Sequence, residues 1–255
     1  MTIKNLDFFQ EIEHRKISWR ESGIYSPFFY YDFMRLSAQF LAPIERVKAL
    51  LPSSRMHPLH ITQSHSVVSI AAYEHRDCDI EPYNEIGISI PVTLDQVSPL
   101  STGISQQVPD VPKIYIHHLP VTSETARDAG IELAGYPKFL ASITFEKGGD
   151  WISCHLSEGN KYILTLAGRE LELHPVARSR IHALTVRGGR ILRCELILNE
   201  REEAISENST DVRLELGDHP ISQELRDLRL GKATSYQYSP QLQAILTSVV
   251  ESFAA

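Results

Sequence analysis

Apolar residues recur along much of the chain in short runs rich in aromatic and branched side chains, the form expected of strands. Phe28 to Leu41 is dense in aromatic and branched residues, and His65 to Tyr73, Glu85 to Leu94 and Lys113 to Leu119 are rich in Ile, Val and Tyr. Each is expected to be extended, because such side chains pack well on a pleated surface. Pro43 stands in the first turn of a short helix expected over Ile44 to Leu51, which stops before Pro52. A polar, Pro-containing loop is expected over Asp95 to Pro112. The spacing turns helical over Ser123 to Ala134, where Ser123 or Thr122 can cap the free amides and Gly135 can end the helix in a left-handed turn.

Beyond that stop, Gly-containing turns at 147–150, 157–160 and 187–190 separate short strand-like runs, the pattern of antiparallel hairpins. From Ser239 to Phe253, apolar residues at Leu242, Ile245, Leu246, Val249, Val250 and Phe253 form a stripe that predicts an amphipathic helix across the sheet. At the other end, Leu6, Phe9, Ile12 and Ile17 stand among charges, so residues 1–24 read as an arm or short helix ahead of the rest. There is no internal repeat or linker. Strands joined by short helices imply one α+β domain over residues 1–255, built on antiparallel sheet.

Charge narrows the function classes. With 25 Lys and Arg against 32 Asp and Glu, the net charge is −7, and a chain of that balance lacks the clustered cations that displace counterions from nucleic acid. No apolar run approaches the roughly 20 residues of a membrane-spanning helix, and residues 1–20 mix acids and bases instead of forming a signal stretch. The expectation is a cytoplasmic protein without nucleic-acid or membrane partners. Cys78, Cys154 and Cys194 are widely spaced and read as free thiols.

The residue that needs explaining is Lys138, delivered directly after the predicted helix stop into an apolar stretch, Pro137-Lys138-Phe139-Leu140-Ala141. Either its ammonium snorkels to water from a strand edge, or it points inward and burial disfavours its charge. The second case has chemical consequences. An ordinary amine is neutral in only about one molecule in 2,500 at pH 7, whereas a downward shift of about three units leaves roughly a quarter neutral and able to attack a ketone.

The stretch Gly130-x-Glu132-Leu133-x-x-Tyr136-Pro137-Lys138 resembles the motif of the acetoacetate decarboxylase family, in which the lysine forms a Schiff base. Upstream, Tyr83-Asn84-Glu85-x-Gly87-x-x-Ile90-Pro91-Val92 is similar to the segment carrying the family's active-site glutamate, and Tyr115-x-His117 to the strand between the two motifs. Phe40 to Pro52, Arg193 to Ile197 and Leu214-x-Leu216-x-Asp218-His219 extend the likeness to nearly the whole chain. The resemblance implies a twisted antiparallel sheet closing into a cone or partial barrel with peripheral helices. It further implies Lys138 as nucleophile, Glu85 as orienting or proton-shuttling acid, no cofactor, and a homo-oligomer acting on a small keto acid or ketone.

The chain departs from the family pattern in several places. Phe139 stands where acetoacetate decarboxylase has a second lysine; it can desolvate Lys138 but cannot repel its charge. An ungapped reading puts Leu41 at the place of a substrate-contacting arginine and Ser69 near that of a further acid, with Arg35 left as a possible replacement cation. The iminium accepts an electron pair from an adjacent bond, so either a β-keto acid loses carboxylate or a ketone loses a proton and enters aldol addition and dehydration. A non-catalytic binder of a hydrophobic carbonyl compound is the alternative.

Tyr83 and Tyr136 can offer hydroxyls to substrate. Strict alternation puts His117 and His118 on opposite faces of a strand, so at most one can reach the pocket, and His118 is the candidate. His57-x-x-His60 and Cys154-His155 have no third ligand at suitable spacing, and no metal site is expected.

Overall fold

The computed structural model describes residues 6–10, 12–96 and 111–255, so most of the loop predicted over Asp95 to Pro112 lies outside the described residues. The first half contains β1 (Arg15–Ile17), β2 (Ile24–Ser26), β3 (Phe28–Pro43), α1 (Ile44–Lys48), β4 (Met56–Pro58), β5 (His65–Cys78), β6 (Tyr83–Leu94) and β7 (Lys113–Val121). After α2 (Glu124–Ala134) come β8 (Lys138–Leu140), β9 (Ser142–Gly148), β10 (Trp151–Glu158), β11 (Lys161–Arg169), β12 (His174–Pro175), β13 (Ser179–Arg187) and β14 (Arg190–Asn199). The chain ends with β15 (Glu202–Ser206), β16 (Val212–Leu216), α3 (Pro220–Asp227), β17 (Ala233–Leu246) and β18 (Glu251–Ala254). Among the described residues no helix is long and apolar enough to cross a membrane.

The strands β17, β3, β5, β6, β7, β13 and β14 pair in that order, and β14 pairs back onto β17, so they form a closed ring. All neighbours in it are antiparallel except β7 and β13. Alternation sorts the ring's side chains cleanly. Phe33 and Arg35 of β3, Ala71, Tyr73 and His75 of β5, and Glu85, Gly87 and Ser89 of β6 line an interior cavity. Their sequence neighbours Met34, Leu36, Ile70, Ala72, Ile86, Ile88 and Ile90 point outward into the main core. There they meet Ile143, Cys154, Leu156, Ile163, Leu164 and Leu166 from a second sheet of order β16-β11-β10-β9. Ile86, Ile88 and Ile90 are essentially solvent-free, and burying each contributes about 1.5–3 kcal/mol.

One predicted helix is absent. The stripe from Ser239 to Phe253 is strand, with β17 paired to β3 and β14, and β18 to β14. Leu242, Ala244 and Ile245 are all buried because β17 has the cavity on one face and a further cluster with Phe8, Phe9 and Phe29 on the other. Register shifts between Ser239, Leu242 and Ala244 also break its period of two, so a bulged strand buried on both faces imitates helical spacing. Ahead of β1, residues 7–10 form a turn whose Phe8 and Phe9 are buried in that cluster.

Candidate active site

Lys138 is placed by the way α2 ends. The Ser123 hydroxyl accepts from the Ala126 amide at 3.0 Å, capping the helix start. At the other end Gly135 takes φ +68°, the left-handed conformation that glycine adopts without a Cβ clash. The terminal carbonyls of Ala134 and Ile131 accept from Thr185 Oγ1 at 3.1 Å and Arg187 Nη1 at 2.7 Å, tying the helix end to β13. The chain then turns into β8, whose Lys138 sits beside Leu119 in a parallel pairing with β7. The lysine stem lies across α2 at Gly130, where a Cβ would come within 2.6 Å of Lys138 Cδ. That first glycine of the motif is the gap through which the side chain reaches inward.

The amine ends inside the ring. The Lys138 side chain is only 6% exposed, and its Nζ donates to Glu85 Oε2 at 2.7 Å. The Tyr83 ring lies 5.4 Å from Nζ. Ile114, Ile116 and Leu119 of β7, Ile181 and Ala183 of β13, Leu196 and Leu198 of β14, and Ala244 and Leu246 of β17 supply apolar walls. Phe139 faces the main core on the other side of β8, so it is the ring interior, not Phe139, that dries Lys138.

Other polar groups share the interior. Tyr136 lines the cavity, and burial, followed by the neighbouring Cys194, holds its hydroxyl well above the usual phenol range. Tyr83 is buried but is not among the cavity-lining residues; its hydroxyl lies 3.2 Å from that of Tyr30, which is. Burial pushes Tyr73 up to about 12, so it too stays a hydroxyl at neutral pH. His75 is ringed by Tyr30, Phe33, Tyr73 and Tyr83, and neither ring nitrogen has a hydrogen-bond partner. Burial first, then the Lys138 charge, lowers its pKa well below the ordinary 6.5 and leaves the ring neutral.

Arg35 stands in one cross-strand row with Tyr73 and Glu85. It is 7% exposed, and its Nη2 contacts Glu200 at 2.8 Å and Glu203 at 2.5 Å. Burial raises the Glu203 carboxyl above its ordinary range in spite of the arginine. Leu41, the position offered by ungapped reading, is not among the cavity-lining residues, whereas Arg35 is. Sequence reasoning missed His75, Glu200 and Glu203.

The histidine pair corrects the expectation of opposite faces. Ile88 pairs with His118 but Ser89 pairs with Ile116, so β7 carries one extra residue at His117. Ile114, Ile116 and Leu119 therefore face the cavity, while His117 and His118 both turn to Glu224 of α3, each with Nε2 at 2.9 Å from Oε1. His118 is not among the residues lining the cavity.

The fold has relatives among solved structures. An acetoacetate decarboxylase aligns with a TM-score of 0.64 at 17% identity over 90% of this chain and 89% of that one. The acetoacetate decarboxylase of Legionella pneumophila aligns with a TM-score of 0.65 at 15% identity, covering 89% and 88%. The enduracididine biosynthesis enzyme MppR, complexed with the condensation product of pyruvate and imidazole 4-carboxaldehyde, aligns at 0.61 with 10% identity over 95% and 97%. No curated protein matches the sequence. The family model for acetoacetate decarboxylase matches residues 17–250, and the chain belongs to that family.

Proposed function

We propose that the protein is a Schiff-base lyase acting on a keto acid or ketone through Lys138, without a cofactor and as a homo-oligomer. One observation carries this reading: an almost fully buried amine, 2.7 Å from a carboxylate, opens into an otherwise largely apolar cavity. Glu85 takes the proton that the ammonium must shed, and the neutral amine adds to the substrate carbonyl. The resulting carbinolamine loses its hydroxyl as water, with Glu85 returning the proton. The iminium nitrogen then draws the electron pair of the bond that breaks, whether to carboxylate or to an acidic α-hydrogen. Tyr136 supplies a hydroxyl at the cavity, Tyr83 acts from behind it through Tyr30, and the walls of Ile181, Leu196, Leu198 and Leu246 suit a substrate with an apolar tail.

Arg35 bears on which bond breaks. Its charge is met by two glutamates, so a substrate carboxylate would have to compete with Glu200 and Glu203 for it. This favours aldol condensation and dehydration of a simple keto compound over decarboxylation anchored at that arginine. The non-catalytic alternative, a binder of hydrophobic carbonyl compounds, draws support from the closed Lys138–Glu85 pair.

Incubation with pyruvate or acetoacetate and borohydride, then peptide mapping, tests the proposal. The expected result is a reduced adduct at Lys138 that disappears in Lys138→Ala; absence of any adduct with a range of keto acids would leave only the binder. Carbon dioxide release against consumption of an aldehyde co-substrate separates the two chemistries.

A further inference from the structure

We infer that His117, His118 and Glu224 form a binding site for one divalent transition-metal ion, on the face of β7 opposite the cavity. Among the described residues, these three offer ligand atoms that all lie within 4.8 Å of one another. Two imidazole nitrogens and a carboxylate oxygen are the donor set of three-ligand zinc sites, which leave a further position to water.

The geometry is close to what a metal requires. Bonds of 2.0–2.2 Å at tetrahedral angles hold ligand atoms about 3.4 Å apart. Both histidine Nε2 atoms stand 2.9 Å from the same Glu224 oxygen, so an opening of roughly half an ångström admits the ion. Small side-chain rotations supply that. The three side chains are 14%, 23% and 31% exposed, enough for water to reach an open position.

The backbone is built to converge these groups. Adjacent residues of a regular strand point to opposite faces, and only the extra residue at His117 brings both imidazoles to one side. Glu224 approaches from α3, a helix started by Pro220 and capped by His219. Without an ion, each Nε2 donates to the Glu224 carboxylate, which can only accept. A bound cation takes the place of those shared protons, and the imidazole proton moves to Nδ1. With neutral imidazoles and an ionised carboxylate the site carries one negative charge, and a dication is the complementary ligand. Imidazole and carboxylate together select zinc, cobalt or nickel over calcium or magnesium, which prefer oxygen donors alone.

The site stands independently of the Lys138 chemistry, and so does its test. The full-length protein, stripped with a chelator, is titrated with zinc chloride by calorimetry and with cobalt chloride by visible absorption. One equivalent should bind at micromolar concentration or below, with the intense bands of four-coordinate cobalt. Zinc-edge X-ray absorption on the unmodified protein should show two imidazoles in the coordination shell. His118→Ala and Glu224→Gln should each weaken binding at least about tenfold, with near-ultraviolet circular dichroism confirming a native fold, and Lys138→Ala should bind as tightly as the parent. No stoichiometric binding to the folded parent would leave a hydrogen-bonded cluster only. Binding that survives both variants, or an absorption spectrum without imidazoles, would place the metal elsewhere; each of these results overturns the inference.

Discussion

Lys138 and Arg35 both face the interior of the same ring, yet they are held in opposite ways. Arg35 sits in the middle of a long central strand, met by two buried glutamates. Lys138 sits on a three-residue strand at the end of a helix, paired with one acid. A guanidinium keeps its charge in any protein environment, so two acids can be built around it as framework. An ammonium can hand its proton to its partner and become a nucleophile. The same interior thus holds a fixed charge and a convertible one.

The contrast can be broken first at the convertible site. Lys138→Ala should lower turnover by roughly 10⁴-fold or more with a smaller drop in the urea midpoint than at Arg35, since one carboxylate, Glu85, is left unpaired; kinetics and equilibrium denaturation would show both. Equal losses of stability and activity would instead make Lys138 part of the framework. At the fixed site the pattern should invert. Arg35→Ala strands two buried carboxylates and should cost about 3–5 kcal/mol of stability by urea denaturation, because removing one partner leaves the others without compensation.

A subtler change sharpens the comparison by moving the amine without deleting it. Gly130→Ala puts a methyl within 2.6–2.7 Å of Lys138 Cδ and Cε. The flexible stem can yield, so the fold should hold or gain up to about 1 kcal/mol from better helix propensity. The rate of borohydride-trapped adduct formation should nevertheless fall about 100-fold, since roughly an ångström of misplacement has that effect. An unchanged rate would mean that the glycine serves only packing.

The smallest effect concerns pH. His75 stays neutral in the folded protein because burial, then Lys138, lowers its pKa far below 6.5. The unfolded chain takes up a proton there as pH falls through that value, and the folded protein does not. This group's stability contribution is therefore full above about pH 6.5 and is lost below it, by at most about 1.4 kcal/mol per pH unit. His75→Phe should flatten that part of the acid limb in urea titrations at several pH values.

Much of the site was legible because its signals are local. Ser123 and Gly135 bracket a helix by capping rules alone, and the resemblance to the family's two motifs pointed to Lys138 and Glu85, which the fold brings to 2.7 Å. The partners of Arg35 were not legible, since Glu200 and Glu203 lie more than 160 residues along the chain and nothing local links them to β3. A bulge leaves no mark in composition, so the turning of His117 and His118 to one side, and their meeting with Glu224, emerged only in three dimensions. The helix expected from Ser239 onward failed for a related reason: a strand covered on both faces loses the alternation by which strands are recognised.

Closure of the ring by β17 against both β3 and β14 sets a condition on reactivity. Until residues 233–246 are seated, the wall supplied by Ala244 and Leu246 is missing and water reaches the amine. Adduct formation with a keto acid and borohydride should therefore fade as that last seam is loosened, which makes the lysine a built-in gauge of whether the molecule is shut.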